Sequence, residues 1–271
     1  MLIYGKEIRE QLKEDLLKLS QSQQLNLSVV QVGYDEASLV YTKNIRAFGE
    51  SLGIRVDVHN LPEEATNTEA ENLITGLNRD PQIHGILLQK PLPQHLDANK
   101  LTDLVDYGKD VEGIHNFNLG KLLSRQPGVK PSTPKAVIRM LKHFAIPIAG
   151  KLVTIVGRST ILGGPLSVMM TSEDGTVTLC HSKTADLKNE IGRADILIAA
   201  MGRINYITPD MVKPGGVIID AGINFDEHGK MFGDVHEEAK AKAAYASAVP
   251  GGIGVITVAE LFDNLFVLQQ L

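Results

Sequence analysis

The sequence predicts a mixed α/β protein of two domains, each built on a largely parallel sheet, and three observations carry that expectation. Short β-rich apolar runs alternate with helical stretches, which is how strand–helix–strand units read in a sequence. The alternation breaks at the proline-rich segment PSTP (131–134) and then restarts. At 271 residues the chain also exceeds the usual size of one hydrophobic core.

The opening stretch MLIYGKEIREQLKEDLLKL mixes charge with apolar residues and reads as an amphipathic surface helix. It offers neither a signal-peptide core nor a spanning run. Leu27 to Val32 is a β-rich run that stops at Gly33, and a helix follows from Glu36 to Leu52. Arg55 to Leu61 alternates like a strand, Thr66 to Leu77 is helical, and His84 to Gln89 is a short apolar strand halted by KPLP.

After PSTP a helix is expected from Pro134 to Phe144, leading into a strand from Leu152 to Val156. Further strands are expected at Thr176 to Cys180, Asp195 to Ala199 and Val217 to Asp220. Each ends near glycine or a polar residue, as parallel strands do where their carboxyl ends build a site. The apolar helix Val258 to Leu268 lies beyond the glycine cluster PGGIG and is assigned to the first domain, so that the chain crosses between domains twice. The expected division is 1–118 completed by 254–271, and 119–253.

Composition excludes several partners. The net charge of -5 and the scattered Lys and Arg leave no basic stripe to neutralise a nucleic-acid backbone. The only cysteine, Cys180, can form neither an internal disulfide nor a cysteine-based zinc cluster. A reducing cytoplasm and no membrane association are the expectation.

The strand KLVTIV runs into GRSTILGGP. There Gly157 permits a tight turn, Gly163 and Gly164 permit close backbone approach, and Pro165 suits a first helical turn. A helix N-terminus in that position faces a phosphate. The spacing is not the G-x-G-x-x-G of a dinucleotide fingerprint, so the loop alone reads equally as an ordinary strand-to-helix turn. The next strand tips the balance. A site for unphosphorylated NAD places Asp or Glu at its end, whereas TVTLC ends in His181, Ser182 and Lys183. With Arg158 close by, this edge offers donors and positive charge to a 2′-phosphate, which favours NADP over NAD. Lys183 taken alone reads as a solvated loop residue.

Eight segments then carry a resemblance: GYDEASLVYTKNIRAFGESLGI, GILLQKPLPQHLD, KDVEGIHNFNLGKL, PSTPKAV, VGRSTILGGPL, TVTLCHSKT, IIDAGIN and VPGGIGVIT. In order and spacing, from about residue 2 to 268, they resemble the methylenetetrahydrofolate dehydrogenase/methenyltetrahydrofolate cyclohydrolase family. The resemblance implies an N-terminal α/β folate-binding domain, a Rossmann-type NADP-binding domain, a cleft between them and a homodimer. It implies two reactions on tetrahydrofolate derivatives: hydride transfer from 5,10-methylenetetrahydrofolate to NADP, and hydrolysis of the methenyl product to 10-formyltetrahydrofolate. By position it implies nucleotide contacts at Gly157, Arg158, Ser159, Ser182 and Ile223. It implies pterin stacking by Tyr41, a role for Gln89 beside the catalytic group, and closure over substrate by the loop of Gly251 and Gly252.

The chain departs from the family pattern on the folate side. The family has Y-x-x-x-K, and here the residue one helical turn after Tyr41 is Ile45, which can neither give nor take a proton. Lys43, two residues on, faces nearly the opposite side of the helix. Glu112 stands in KDVEG where the family has the aspartate that holds the pterin. Glutamate keeps the charge on a longer arm, so binding is expected to shift rather than fail. Ser247, Ala248, Val255 and Ile256 replace polar and Pro-Met features of the closing loop. Lys90, beside Gln89, occupies a usually apolar place. One reading has it reach the cleft and supply the missing ammonium. The other has it solvated, because neighbouring residues of an extended strand face opposite sides. The expected outcome is a retained dehydrogenase and a cyclohydrolase that is weak or depends on a substitute group.

His115 is expected to cap or pack, His84, His95 and His143 show no metal-ligand pairing, His236 has no assigned role, and Cys180 is expected to be a small buried hydrophobe. Two alternatives stay open at this point: a paralogue that binds folate or NADP without turnover, and a shikimate dehydrogenase-like NADP oxidoreductase.

Overall fold

The computed structural model describes residues 1–21, 23–34 and 36–271; Asp35, in the first quoted motif, lies outside them. The chain opens with strand β1 (Leu2–Ile3) and helix α1 (Lys6–Ser20). Ile8, Leu12 and Leu16 of α1 recur every four residues and are buried, so the helix keeps one apolar stripe against the protein. Strand β2 (Asn26–Val32), helix α2 (Glu36–Ser51), strand β3 (Arg55–Leu61), helix α3 (Asn67–Arg79) and strand β4 (Gly85–Leu88) follow. Thr66 starts α3 with a capping box: its hydroxyl accepts from the Glu69 amide at 3.3 Å, and the Glu69 carboxylate accepts from the Thr66 amide at 2.8 Å. Helices α4 (Ala98–Leu104), α5 (Asn116–Leu123) and α6 (Ser132–His143) lead to strand β5 (Leu152–Val156), helix α7 (Gly163–Ser172) and strand β6 (Thr176–Cys180). The remainder is α8 (Leu187–Gly192), β7 (Ile196–Ala199), β8 (Val217–Asp220), the hairpin β9 (Asn224–Phe225) and β10 (Met231–Phe232), α9 (Glu237–Ala241), β11 (Tyr245–Ser247) and α10 (Ile253–Leu268).

These elements form two compact units: Gln11–Ser132 with Val258–Leu271, and Met1–Glu10 with Thr133–Thr257. The division differs from the expected one at three places, the smallest being 254–257, which falls with the 133–257 unit. The first ten residues belong with the 133–257 unit because β1 pairs in parallel with β11, Leu2 opposite Ala246 and Ile3 opposite Ser247. The segment 119–132 belongs with the other unit. There Asn264 Nδ2 donates to the Lys130 carbonyl at 2.9 Å, and the Ser132 amide donates to the Glu112 carbonyl at 3.2 Å.

The unit containing residues 11–132 is built on a three-stranded parallel sheet in the order β3-β2-β4. Residues of the central strand alternate between two cores. Leu27 and Val29 join Ile45, Phe48, Phe262 and Leu265, while Val30 and Val32 join Ile74, Ile86, Leu88 and Leu101. The Phe48 and Phe262 rings lie 5.4 Å apart, which seats α10 on α2. Fully burying one such ring contributes roughly 2–3 kcal/mol.

The other unit holds a six-stranded sheet in the order β1-β11-β8-β7-β5-β6, with every pairing parallel. Strand order reverses about β5, which has β6 on one side and β7 on the other. In an open parallel sheet the crevice at such a reversal is where ligands bind. Among the described residues no helix is long and apolar enough to cross a membrane.

Candidate active site

One candidate site lies at the carboxyl end of β4. Gln89, just past the strand, donates its amide to the Val30 carbonyl at 2.9 Å and its Nε2 to the Lys90 carbonyl at 2.8 Å. Its Oε1 is buried without a hydrogen-bond partner among the described residues. A buried acceptor left empty costs about 1–3 kcal/mol, so Gln89 is set to receive a donor. The Lys90 carbonyl also accepts from the Ser38 hydroxyl of α2 at 3.4 Å. Ser38, Tyr41 and Ile45 stand three and then four residues apart, so they share one face of that helix. Along that face Tyr41 is half-buried against the apolar core, and Ile45 is sealed within it at 0% exposure. Lys43 faces elsewhere, in the wall of a shallow depression of about 250 Å³ with Arg46 and Asn60.

Glu112 reaches this site from a turn that is rigidly held. An isolated parallel bridge sets Asp110 beside Ile86 of β4. The buried Asp110 carboxylate accepts from the amides of Gly113 (3.0 Å) and His115 (2.8 Å) and from Asn118 Nδ2 (2.9 Å). Asn264 of α10 clamps the same turn, donating to the Val111 carbonyl at 2.8 Å. Lys109 Nζ donates to the carbonyls of Leu77, Asn78 and Asp80 at 2.7–3.0 Å, which closes the end of α3. Sequence reasoning passed over Asp110 and Asn264. The signal for Asp110 was available, since Asp followed by Gly at the third place and a small polar residue beyond is how a carboxylate gathers the amides of its own turn. Asn264 had none, as its partners are over a hundred residues away.

Glu112 is the charge that links these side chains. Burial raises the Glu112 carboxyl to about 7, while Lys90 pulls it down and Asp110 pushes it further up. Burial also pushes the Tyr41 phenol well above its ordinary value, and the Glu112 charge adds to this. Lys90 is half-buried. Strand alternation does not govern it, because β4 ends at Leu88.

A second candidate site, in the other unit, lies at the carboxyl ends of β5, β6 and β7. A Cβ on Gly157 would sit 2.0 Å from the Ala200 carbonyl oxygen, and the residue has φ +123°, so no other side chain fits where β5 leaves the sheet beside β7. A Cβ on Gly163 would fall 1.8 Å from the Gly157 carbonyl oxygen; the loop thus folds back tightly and opens α7. The Ser159 hydroxyl accepts from the Leu162 amide at 3.3 Å and shapes that loop. Val156 pairs with Cys180 in register, so Arg158 and Ser182 stand two residues beyond matched ends of neighbouring strands. Both are exposed, and among the described residues neither forms an ion pair or a side-chain hydrogen bond. His181 organises their turn instead, giving its amide to Thr184 Oγ1 (2.9 Å) and taking the Lys183 amide on Nδ1 (3.1 Å). An uncommitted guanidinium and hydroxyl beside Gly157, which opens the turn without a side chain, and with no carboxylate at the end of β6, could hold the 2′-phosphate and diphosphate of NADP.

Behind this edge stands a buried acid that sequence reasoning also passed over. Asp234, with 0% exposure, accepts from the amides of Met201, Gly202 and Arg203 and from Asn224 Nδ2 at 2.6–3.1 Å. It thereby ties the loop after β7 to the turn that carries Ile223, whose side chain is exposed. Gly251 and Gly252 lie against the start of the chain. The Gly5 amide donates to the Gly251 carbonyl at 2.8 Å, and a Cβ on Gly252 would meet the Ala248 carbonyl oxygen at 2.2 Å. His115 and His236 are helix caps, each accepting a backbone amide on Nδ1. Cys180 is buried in the apolar core of its unit.

Two family models match the chain in succession. The catalytic-domain model of tetrahydrofolate dehydrogenase/cyclohydrolase covers residues 3–112, and the NAD(P)-binding-domain model of the same name covers 131–270. The bifunctional protein FolD 2 of Syntrophomonas wolfei subsp. wolfei is 54% identical over 270 residues, spanning 100% of this chain and 99% of its own. Among solved structures, the methylenetetrahydrofolate dehydrogenase/cyclohydrolase of Campylobacter jejuni superposes with a TM-score of 0.94 at 37% identity, covering 100% of this chain and 99% of that one. The Trypanosoma brucei enzyme, complexed with NADP cofactor and an inhibitor, superposes with a TM-score of 0.94 at 28% identity, covering 100% and 97%.

Proposed function

The chain belongs to the tetrahydrofolate dehydrogenase/cyclohydrolase family, and on that premise we propose that it oxidises 5,10-methylenetetrahydrofolate with NADP and hydrolyses the methenyl product to 10-formyltetrahydrofolate. The observation that carries the reading is the convergence of Tyr41, Gln89 and Glu112, from three separate segments, on the carboxyl end of β4. It favours turnover of a folate over the shikimate dehydrogenase-like alternative, whose substrate has no pterin for those groups to grip.

NADP, when bound, supplies the hydride acceptor. Arg158 and Ser182 hold its 2′-phosphate, Gly157 leaves room for its diphosphate, and Ser159 and Ile223 border it. On the other side the Tyr41 ring stacks on the pterin, Gln89 Oε1 accepts a donor from the substrate, and Glu112 binds the pterin's polar edge. Gly251 and Gly252 belong to the loop that closes over it. Hydride transfer requires no protein base, because its acceleration comes from position and orientation. Hydrolysis does require proton transfers, and Ile45 cannot serve them. We further propose a cytoplasmic homodimer.

A spectroscopic assay of purified protein with 5,10-methylenetetrahydrofolate, with and without NADP, tests the reading: NADPH forms only when both are present, and the methenyl absorbance then decays. NADPH binding without any turnover would instead identify a non-catalytic folate- or NADP-binding paralogue. Sedimentation at twice 29.4 kDa checks the dimer.

A further inference from the structure

We infer that Lys90 is a catalytic residue of methenyl hydrolysis, supplying from the bend after β4 the ammonium that Ile45 cannot supply from α2. The inference rests on the folate reading above and adds the group that handles the proton.

Four observations support it. First, Ile45 lies in the apolar core at 0% exposure with Leu27, Phe48 and Phe262, so its position presents nothing to a substrate. Second, the Lys90 backbone is held against α2 through Ser38, one helical turn before Tyr41 on the same face. A turn rises about 5.4 Å, and a four-carbon lysine stem spans it. An ammonium extended from there toward Tyr41 would come from the N-terminal side of the helix, where the family pattern brings it from the C-terminal side. Third, among the described residues no carboxylate or carbonyl captures Lys90 Nζ, and it forms no contact ion pair with Glu112. The Lys90 charge nevertheless lowers the Glu112 carboxyl against the effect of burial, so the two groups share one neighbourhood without a contact pair. Fourth, Gln89 Oε1, buried and unpartnered among the described residues, belongs to the adjacent residue.

The chemistry balances with one lysine. Water adds to the cationic methenyl carbon, forming a C–O bond, and releases one proton to solvent. The product is a neutral carbinolamine. The Lys90 ammonium gives a proton to N5 as the C–N5 bond breaks with its electron pair on nitrogen. The carbinol O–H proton then passes to the Lys90 amine as C=O forms, which restores the ammonium. One water is consumed, one proton is released, and no oxidant or reductant takes part.

The test compares the two half-reactions on single preparations of wild type, Lys90→Met and Lys90→Arg, read as the ratio of the hydrolysis rate to the rate of NADPH formation. General acid–base groups contribute about 100-fold or more. In Lys90→Met the ratio is therefore expected to fall by about 100-fold, with thermal unfolding reporting an intact fold. Arginine keeps the charge but does not release a proton at working pH, so Lys90→Arg is expected to stay low. Methylamine added to Lys90→Ala is expected to restore part of the hydrolysis. An unchanged ratio in Lys90→Met, whether both rates are high or both low, overturns the inference, as does recovery of the ratio in Lys90→Arg. A wild type that forms NADPH but never hydrolyses overturns it too, whereas a wild type inactive in both reactions removes the folate reading itself.

Discussion

Lys240 and Asp220 form a buried ion pair, Nζ to Oδ2 at 3.2 Å, with side-chain exposures of 2% and 0%. The Asp220 carboxylate also accepts from the amides of Gly222, Asp234 and Val235 at 2.9–3.2 Å. One charged pair thus anchors α9, the end of β8 and the loops of the nucleotide edge together.

Removing the cation should therefore be severe. Lys240→Met leaves an unpaired carboxylate in the interior, and breaking a buried pair in this way costs about 3–5 kcal/mol. The sign of its pH dependence follows from Asp220. Burial already raises that carboxyl and the Lys240 charge lowers it, so the variant holds it higher still. A carboxyl raised in the folded state contributes stability at low pH that is lost as pH rises through the folded value. Urea unfolding should show a larger deficit at pH 8 than at pH 5, and an equal deficit at both would refute the account.

Gly157→Ala places a methyl 2.0 Å from the Ala200 carbonyl oxygen at a φ that side chains rarely adopt. Neither the backbone of β7 nor the tight loop can give way cheaply. A stability loss above about 3 kcal/mol is expected, with NADP affinity falling at least tenfold in any protein that folds. Wild-type melting and cofactor titration curves for this variant would show the steric argument to be mistaken.

Cofactor choice should turn on Ser182. Ser182→Asp puts a carboxylate at the end of β6, where it can accept from a ribose hydroxyl and repels a 2′-phosphate. A charge-assisted hydrogen bond is worth about 1.5–3 kcal/mol, so KM for NADP should rise roughly 10- to 100-fold while KM for NAD falls. Steady-state kinetics with both cofactors decides, and an unmoved NADP-to-NAD preference would place the phosphate elsewhere.

The long periodic elements were legible in the sequence because each buries a patterned face. The runs at 27–32, 55–61, 152–156, 176–180 and 217–220 match strands to within a residue. What escaped were short pieces whose existence depends on partners far along the chain. Leu2–Ile3 is a strand only because Ala246 and Ser247 lie beside it, and two residues carry no period. The two candidate sites divide the same way. The placement of Arg158 and Ser182 just past the ends of adjacent strands was readable. The anchoring of Glu112 by Asn264, and the approach of Lys90 by way of Ser38, are tertiary contacts with no local signature.

Glu112 offers a test of that approach that is independent of turnover. Its carboxyl is raised from 4.5 to about 7, first by burial. Between those values the folded chain holds a proton that the unfolded chain has released, so stability should decline as pH rises across this window and level off above it. Glu112→Gln removes the titration. It should match wild type near pH 4 and exceed it at pH 8 by about 2 kcal/mol, discounted for partial exposure. The Lys90 charge pulls Glu112 downward, so Lys90→Met should steepen the decline and carry it to higher pH, while the Lys90→Met, Glu112→Gln double variant should be as flat as Glu112→Gln alone. Chemical denaturation of the four proteins from pH 4 to 9 measures all of this. A Lys90→Met profile that simply parallels wild type would mean that the ammonium and the carboxylate do not share a site.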